Sequence, residues 1–172
     1  MAKALYAKGE LEGVVGTKMS NGGVVAAIES WGCEFLRTDI GDRHVLAALL
    51  ERQWLLGGES SGHLLQLDCM TTGDGLLASL LVLCALHEGK STLHDALAGF
   101  VRYRQVLENV PFASKGDVFS LVPGLTEAVE ESEALLGEGG RILIRPSGTE
   151  PLVRIMVEGQ DFTVVGEVIS ML

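Results

Sequence analysis

Two aliphatic runs, Ile142 to Ile144 and Leu152 to Val157 with one arginine inside, are held apart by the polar string Arg145-Pro146-Ser147-Gly148-Thr149-Glu150-Pro151. Strand-like segments on either side of a turn rich in Pro, Ser and Gly fold most simply as a strand–loop–strand unit. Such a turn can aim its backbone N–H groups and hydroxyls at one point, which is what an anion site requires. Arg145 opens the turn and Arg154 follows it. Their guanidinium groups are the side chains best shaped to grip a phosphate through two parallel hydrogen bonds. The stretch reads as a phosphate cradle; the competing explanation is a capped turn with arginines on a solvated edge.

Charge and composition narrow the partners of such a site. A chain of 172 residues, 47% of them hydrophobic, has room for one domain or two small ones around a proper core. Its net charge of −10 speaks against nucleic acid and against an anionic membrane surface, since both attract excess positive charge. Two arginines beside a Ser-Gly-Thr turn in so acidic a chain point to a small, local anion. The first residues carry Lys3, Lys8 and Glu10 and have no unbroken apolar stretch of the secretory kind. The longest apolar run, Leu76 to Leu86 with one serine inside, is too short to cross a bilayer and predicts a buried helix. Cys33, Cys69 and Cys84 form an odd set without metal or redox spacing. They are expected to pack as small apolar groups in a reducing, cytoplasmic setting.

The order of elements predicts an α/β fold in two parts. Strand-like Val14 to Thr17, helical Val24 to Trp31, strand-like Cys33 to Ile40 and helical Val45 to Arg52 alternate as in a domain whose helices cover a sheet. A Gly/Ser-rich loop, Gly57 to His63, stands between two apolar runs, and a long helix from Gly75 to His87 follows. Ser91 is a candidate N-cap for a short helix to Phe100. After it, extended Val101 to Val110, helical Leu125 to Leu136, the hairpin and a last helix from Phe162 describe a small α+β domain. The expected division is 1–100, a mixed α/β domain, and 101–172, an α+β domain, with Phe100 to Gln105 as a hinge.

A second constellation lies in the Gly57 to His63 loop. Glu59, Ser61 and His63 occupy alternate positions, so in an extended segment all three side chains would share one side. A carboxylate, a hydroxyl and an imidazole converging there suit the adjacent hydroxyls of a sugar; a glycine-rich hairpin with incidental polar residues is the plain alternative. Asp39 and Asp42 are spaced so that they could share a hard cation, but Asp42 is better explained as a helix cap. Arg43 could reach a ligand from the same turn. Thr71-Thr72-Gly73-Asp74-Gly75 is read as an N-cap by Thr72 or Asp74. Ser60-Ser61-Gly62 lacks the glycine offset of a nucleophile elbow.

Three strings occur in the order and spacing of one family. Gly58-Glu59-Ser60-Ser61-Gly62-His63, then Thr71-Thr72-Gly73-Asp74-Gly75, then Arg145-Pro146-Ser147-Gly148-Thr149-Glu150-Pro151 resemble the α-D-phosphohexomutases. Val14 to Asn21 and Val157-Glu158-Gly159 are similar to the amino-sugar branch. The likeness covers nearly the whole chain but only the third domain and the fourth, phosphate-binding domain of a family member. It implies interconversion of glucosamine 6-phosphate and glucosamine 1-phosphate through a phosphoserine and a sugar bisphosphate, with glucose or mannose phosphates as alternatives. A stand-alone, non-catalytic phosphosugar-binding module is the reading from another class.

By that resemblance Glu59 and Ser61 grip sugar hydroxyls, His63 stands beside the reacting groups, and Arg43 faces substrate. Arg145, Ser147, Gly148 and Thr149, with Arg154 as a second cation, hold the phosphate that is not reacting. The family's phosphoserine segment (Thr-Ala-Ser-His-Asn-Pro) and its Mg²⁺ loop (Asp-Gly-Asp-x-Asp-Arg) do not occur in this sequence. The implied Mg²⁺ therefore has no expected ligands here, the implied partner is the N-terminal part of the same protein, and the isolated chain is expected to be inactive.

Overall fold

The structure, a computed structural model, describes residues 1–112, 116–147 and 150–172. The chain divides into two compact units, Met1–Val101 and Arg102–Leu172.

In the first unit a four-stranded sheet has the order β2-β1-β3-β4, with β1 Gly13–Thr17, β2 Glu34–Thr38, β3 Leu56–Gly58 and β4 Leu64–Gln66. β1 is parallel to both β2 and β3, and β4 returns antiparallel to β3. The alternation of side chains along β1 builds the two sides of the core. Val14 packs with Leu5 of α1 (Ala2–Lys8) and Ile28 of α2 (Gly22–Glu29). Val15 packs with Val45 and Leu49 of α3 (Asp42–Arg52) and with Trp54. From β1 the chain steps through α2 to β2, then crosses back through α3 to β3 on the other side of β1. That reversal puts a topological switch point between β1 and β3, and crevices that take ligands lie beyond the C-terminal ends of strands at such a point. The Gly57 to His63 loop begins there.

Several expectations need correction. The apolar run forms α4 (Gly75–Glu88), yet none of its residues is buried, and Leu76 is 75% exposed. Asp42 is not the cap of α3: Gly41 occupies the N-cap with φ 127, a left-handed value glycine tolerates, and Asp42 is the first helical residue. Its carboxylate accepts the N–H of Arg43 at 2.7 Å. Thr92, not Ser91, caps α5, in a capping box with Asp95, and α5 stops at Leu93–Ala96. Of the cysteines only Cys33 is buried; Cys69 and Cys84 are exposed. The seven residues of α1 carry too few turns for a periodic signal, and no helix was expected there.

The second unit is a three-stranded antiparallel sheet, β5-β7-β6, with β5 Arg104–Pro111, β6 Arg141–Pro146 and β7 Leu152–Gly159. Val153, Ile155 and Val157 of β7 face α7 (Leu125–Leu136) and α8 (Phe162–Met171), joined by Val118 of the four-residue α6 (Val118–Leu121). Val157, Val165 and Val168 are fully buried, each contributing about 1.5–3 kcal/mol of hydrophobic stabilisation. The other sheet face carries Arg141, Arg145, Arg154 and Glu158, with Leu143 and Met156 between them.

Among the described residues no helix is long and apolar enough to cross a membrane.

Candidate functional site

In the first unit three loops at the C-terminal ends of β1, β2 and β3 are tied together by charge. Lys18, after β1, pairs with Asp39, after β2, at 2.7 Å. Glu59, after β3, accepts the Gly41 N–H through Oε1 at 2.9 Å. This places a carboxylate at the N-terminus of α3, where the helix dipole favours it. The second oxygen of Glu59 lies 3.4 Å from Nδ1 of His63. The Glu59 side chain is only 9% exposed, against 53% for His63. One largely shielded carboxylate thus braces both the Gly41 turn and the imidazole.

The geometry that joins Glu59 to His63 is not the extended segment anticipated from their spacing. β3 ends at Gly58 and β4 begins at Leu64, so 59–63 form a closed turn in which the Glu59 N–H donates to the His63 carbonyl at 2.9 Å. Glu59 and His63 meet as the two ends of that turn. Ser61 sits exposed in the turn and makes no hydrogen bond among the described residues. The His63 ring lies against Gly73, where an added Cβ would come within 2.9 Å of it, so the Thr71 to Gly75 segment backs the imidazole. Asp74 caps α4 by accepting the Leu77 N–H at 2.9 Å. Arg43 is exposed and its Nε donates to Nε2 of His44 at 3.2 Å.

In the second unit the register of β6 and β7 sets Arg145 directly opposite Arg154, and Asn109 of β5 flanks Arg154. Directly opposed residues in a sheet share a face, and like charges so placed repel. What offsets the repulsion is slight: Arg154 Nη2 meets Glu150 at 3.0 Å, with both side chains partly exposed. An exposed pair of this kind contributes about 0.2–1 kcal/mol. Arg154 Nε is shielded from solvent and has no acceptor among the described residues. Ser147 closes the mouth of the turn: its N–H donates to the Leu152 carbonyl at 2.8 Å, and its hydroxyl accepts the Glu150 N–H at 3.3 Å. Gly148 and Thr149 lie outside the described residues.

Sequence reasoning missed the other polar cluster on this sheet face. Glu158 is fully buried, accepts from Arg141 Nε at 2.9 Å and from Gln105 Nε2 at 2.9 Å. A lone glutamate in a strand carries no signal of burial. The one available hint was its place directly before Gly159 at the strand end, opposite an arginine at the start of β6.

The residues present do not fit a magnesium site. Among the described residues no three His, Cys, Asp or Glu side chains cluster as a metal would require. Asp39 is engaged by Lys18 and Asp42 by the first turn of its own helix.

The family model for the α/β/α domain III of phosphoglucomutase/phosphomannomutase matches residues 1–103, and that for the C-terminal domain matches 107–171. The chain belongs to this family. A phosphoglucosamine mutase of Aromatoleum aromaticum is 51% identical over 161 residues, which is 94% of this chain and 36% of that protein. The chain therefore spans about a third of the length of the curated relatives it matches. Among solved structures, the N-acetylphosphoglucosamine mutase of Aspergillus fumigatus superposes with a TM-score of 0.78 at 21% identity, over 98% of this chain and 39% of that one. A structure of the same fungal enzyme in complex with GlcNAc-6P and magnesium gives 0.73 at 18% identity, over 97% and 43%. Likeness at that identity speaks for the fold, a mixed α/β arrangement of family domains III and IV.

Proposed function

We propose that the chain is the sugar-orienting and phosphate-anchoring part of a phosphoglucosamine mutase, acting with N-terminal domains of the same protein to interconvert glucosamine 6-phosphate and glucosamine 1-phosphate. The observation that carries this is the in-register pair Arg145 and Arg154, two cations on one sheet face, with a shielded Arg154 Nε that has no acceptor among the described residues. A phosphate monoester dianion supplies the missing acceptors, and charge-assisted hydrogen bonds of this kind are the strong ones. Ser147 lies at the same turn, and Gly148 and Thr149 complete the proposed clamp.

The first unit takes the hydroxyl-reading role in this proposal. Glu59 keeps its carboxylate shielded and holds His63 and the Gly41–Arg43 turn in place, so sugar hydroxyls meet a pre-set donor and acceptor pattern. Ser61 and Arg43 are exposed at the same end of the sheet, where a ligand could meet them. His63 has one imidazole nitrogen directed at Glu59, leaving the other to hold or accept a proton. A mutase that returns the second phosphate of a bisphosphate to a phosphoserine must hold the sugar in two opposed orientations. A phosphate clamp indifferent to which end it grips, with a separate hydroxyl-reading loop, supports that exchange through positioning. The phosphoserine and the magnesium ligands would come from the N-terminal domains.

Calorimetric titration tests the reading. The chain should bind glucosamine 6-phosphate and glucosamine 1-phosphate weakly but measurably, and free glucosamine not at all. It should yield no isomer when incubated with glucosamine 6-phosphate and Mg²⁺. Equal binding of the free sugar would remove the phosphate clamp from the proposal, and isomer formed at an enzymatic rate would overturn the division of labour.

A further inference from the structure

The three strands of the second unit repeat one arrangement on the sheet face turned away from α7 and α8. In one row Gln105 of β5 and Arg141 of β6 flank Glu158 of the central strand. Both reach it: Gln105 Nε2 donates to Oε2 at 2.9 Å, and Arg141 Nε donates to Oε1 at 2.9 Å. A carboxamide and a guanidinium thus converge from the two edge strands on one oxyanion. Four residues farther along each strand the same two groups return, as Asn109 on β5 and Arg145 on β6, and the central residue is now Arg154. Directly opposed residues hold their Cβ atoms about 4.5–5.5 Å apart, so the three side chains project side by side. Asn109 is exposed, and its carboxamide makes no hydrogen bond among the described residues. The row itself contains no oxyanion; the Glu150 carboxylate meets Arg154 at 3.0 Å from the turn beyond it.

We propose that Asn109 is a further ligand of the phosphate, donating from its carboxamide nitrogen to an oxygen of the group that Arg145 and Arg154 hold. The proposal rests on the reading of that arginine pair as the phosphate anchor. Side-chain chemistry accounts for an amide at this place. A carboxamide carries both a donor and an acceptor, so it can turn its oxygen to a cation and its nitrogen to an anion. A lysine beside Arg154 would add a third positive charge to two that already repel. An aspartate there would pair with the arginines and compete with the ligand for their N–H groups. A neutral amide leaves the charge of the pair to the dianion and adds one hydrogen bond. Gln105 makes the same use of an amide, with the built-in carboxylate of Glu158 as acceptor. With Asn109 as a ligand the phosphate is gripped from all three strands, which sets its place across the sheet as well as its charge.

Calorimetric titration of the chain with inorganic phosphate and with glucosamine 6-phosphate tests this, and the melting temperature in phosphate-free buffer gives a second reading. Asn109→Ala should weaken both ligands about tenfold, the worth of one hydrogen bond to a charged group. Its melting temperature should stay that of the wild type, because Asn109 is exposed on an edge strand. Asn109→Asp should move the two readings in opposite directions. Its affinity should fall below that of Asn109→Ala, while the ligand-free protein should melt higher because the new carboxylate gives the arginines a counter-ion. Glu108→Gln is the control: Glu108 lies opposite Ile155, on the other face of the same strand, and the change should move neither reading. Unchanged affinity in Asn109→Ala, with Arg145→Ala still weakening phosphate, would overturn this inference and leave the arginine clamp standing. A lower melting temperature in Asn109→Asp would mark Asn109 as a structural residue and overturn it as well. Loss in Asn109→Ala with none in Arg145→Ala or Arg154→Ala would sink the clamp alone, and a wild type that binds neither ligand would sink both.

Discussion

Arg141 and Arg145 stand four places apart on β6, on one face of one sheet, yet they meet opposite partners across the same strand. Arg141 is set opposite Glu158 and finds a fully buried carboxylate at 2.9 Å. Arg145 is set opposite Arg154 and finds another cation. Leu143 and Met156 lie between them in register, an apolar band separating a cation that faces a carboxylate from two cations that face each other. The contrast shows that this sheet can build a counter-ion into its own strands where stability needs one. At the other end the described residues supply only the half-exposed Glu150 carboxylate, on Arg154, and it is there that the proposed phosphate would bind.

The largest effect should come from damaging the satisfied end. Glu158→Ala leaves Arg141 beside a buried cavity without its carboxylate, and removal of one partner of a buried pair costs about 3–5 kcal/mol. Urea unfolding of the second unit should register that loss. Replacing both partners, Glu158→Leu with Arg141→Met, should recover most of it. A loss below about 1 kcal/mol for Glu158→Ala would mean that the cluster is hydrated like a surface pair and that the comparison has no energetic content.

At the other end the sign of the effect should depend on ligand. Arg145→Ala or Arg154→Ala should weaken phosphosugar binding by about 1.5–3 kcal/mol, the worth of hydrogen bonds to a charged group, as read by calorimetry. Unchanged affinity in both variants would move the phosphate site elsewhere. Without ligand, Arg145→Met removes a like charge facing Arg154 and should stabilise the second unit by about 0.2–1 kcal/mol in low salt. Inorganic phosphate should erase that advantage by raising the melting temperature of the wild type alone. A variant less stable than wild type under both conditions would show Arg145 to be a structural residue.

The difference between the two ends also explains what could be read from residues alone. The aliphatic runs of β1, β6 and β7 announce strands, and Arg145 and Arg154 are visible because they flank a turn of unusual composition. Their direct opposition depends on register, which the turn fixes and composition does not reveal. Glu158 gave no warning, since burial of a charge is decided by what the neighbouring strand brings opposite it. Glu59 and His63 were found through a spacing argument that assumed an extended segment, whereas closure of a turn is what joins them. The all-apolar pattern of α4 suggested a buried helix, yet none of its residues is buried, because a pattern cannot say whether cover lies within the chain. Asp42 lost the N-cap of α3 because Gly41 at φ 127 already turns the backbone there.

The smallest effect concerns the Lys18–Asp39 bridge, a pair exposed on both sides where Glu158–Arg141 is sealed. The hydrogen bond from Lys18, and then its charge, hold the Asp39 carboxyl below the usual carboxylate range. A group whose folded-state value is depressed adds stability above its unfolded value and loses it as pH falls through the folded one. The difference in stability between wild type and Lys18→Met should therefore be constant at neutral pH and shrink only below the ordinary range of an aspartate. Molar salt, with a screening length of about 3 Å, should abolish it at any pH. The same salt should leave most of the Glu158→Ala loss in place, because the Glu158 carboxylate is fully buried and the Arg141 side chain only 21% exposed. If salt weakened both pairs alike, Glu158 would be reached by water in solution, and the two ends of β6 would differ in partner but not in environment.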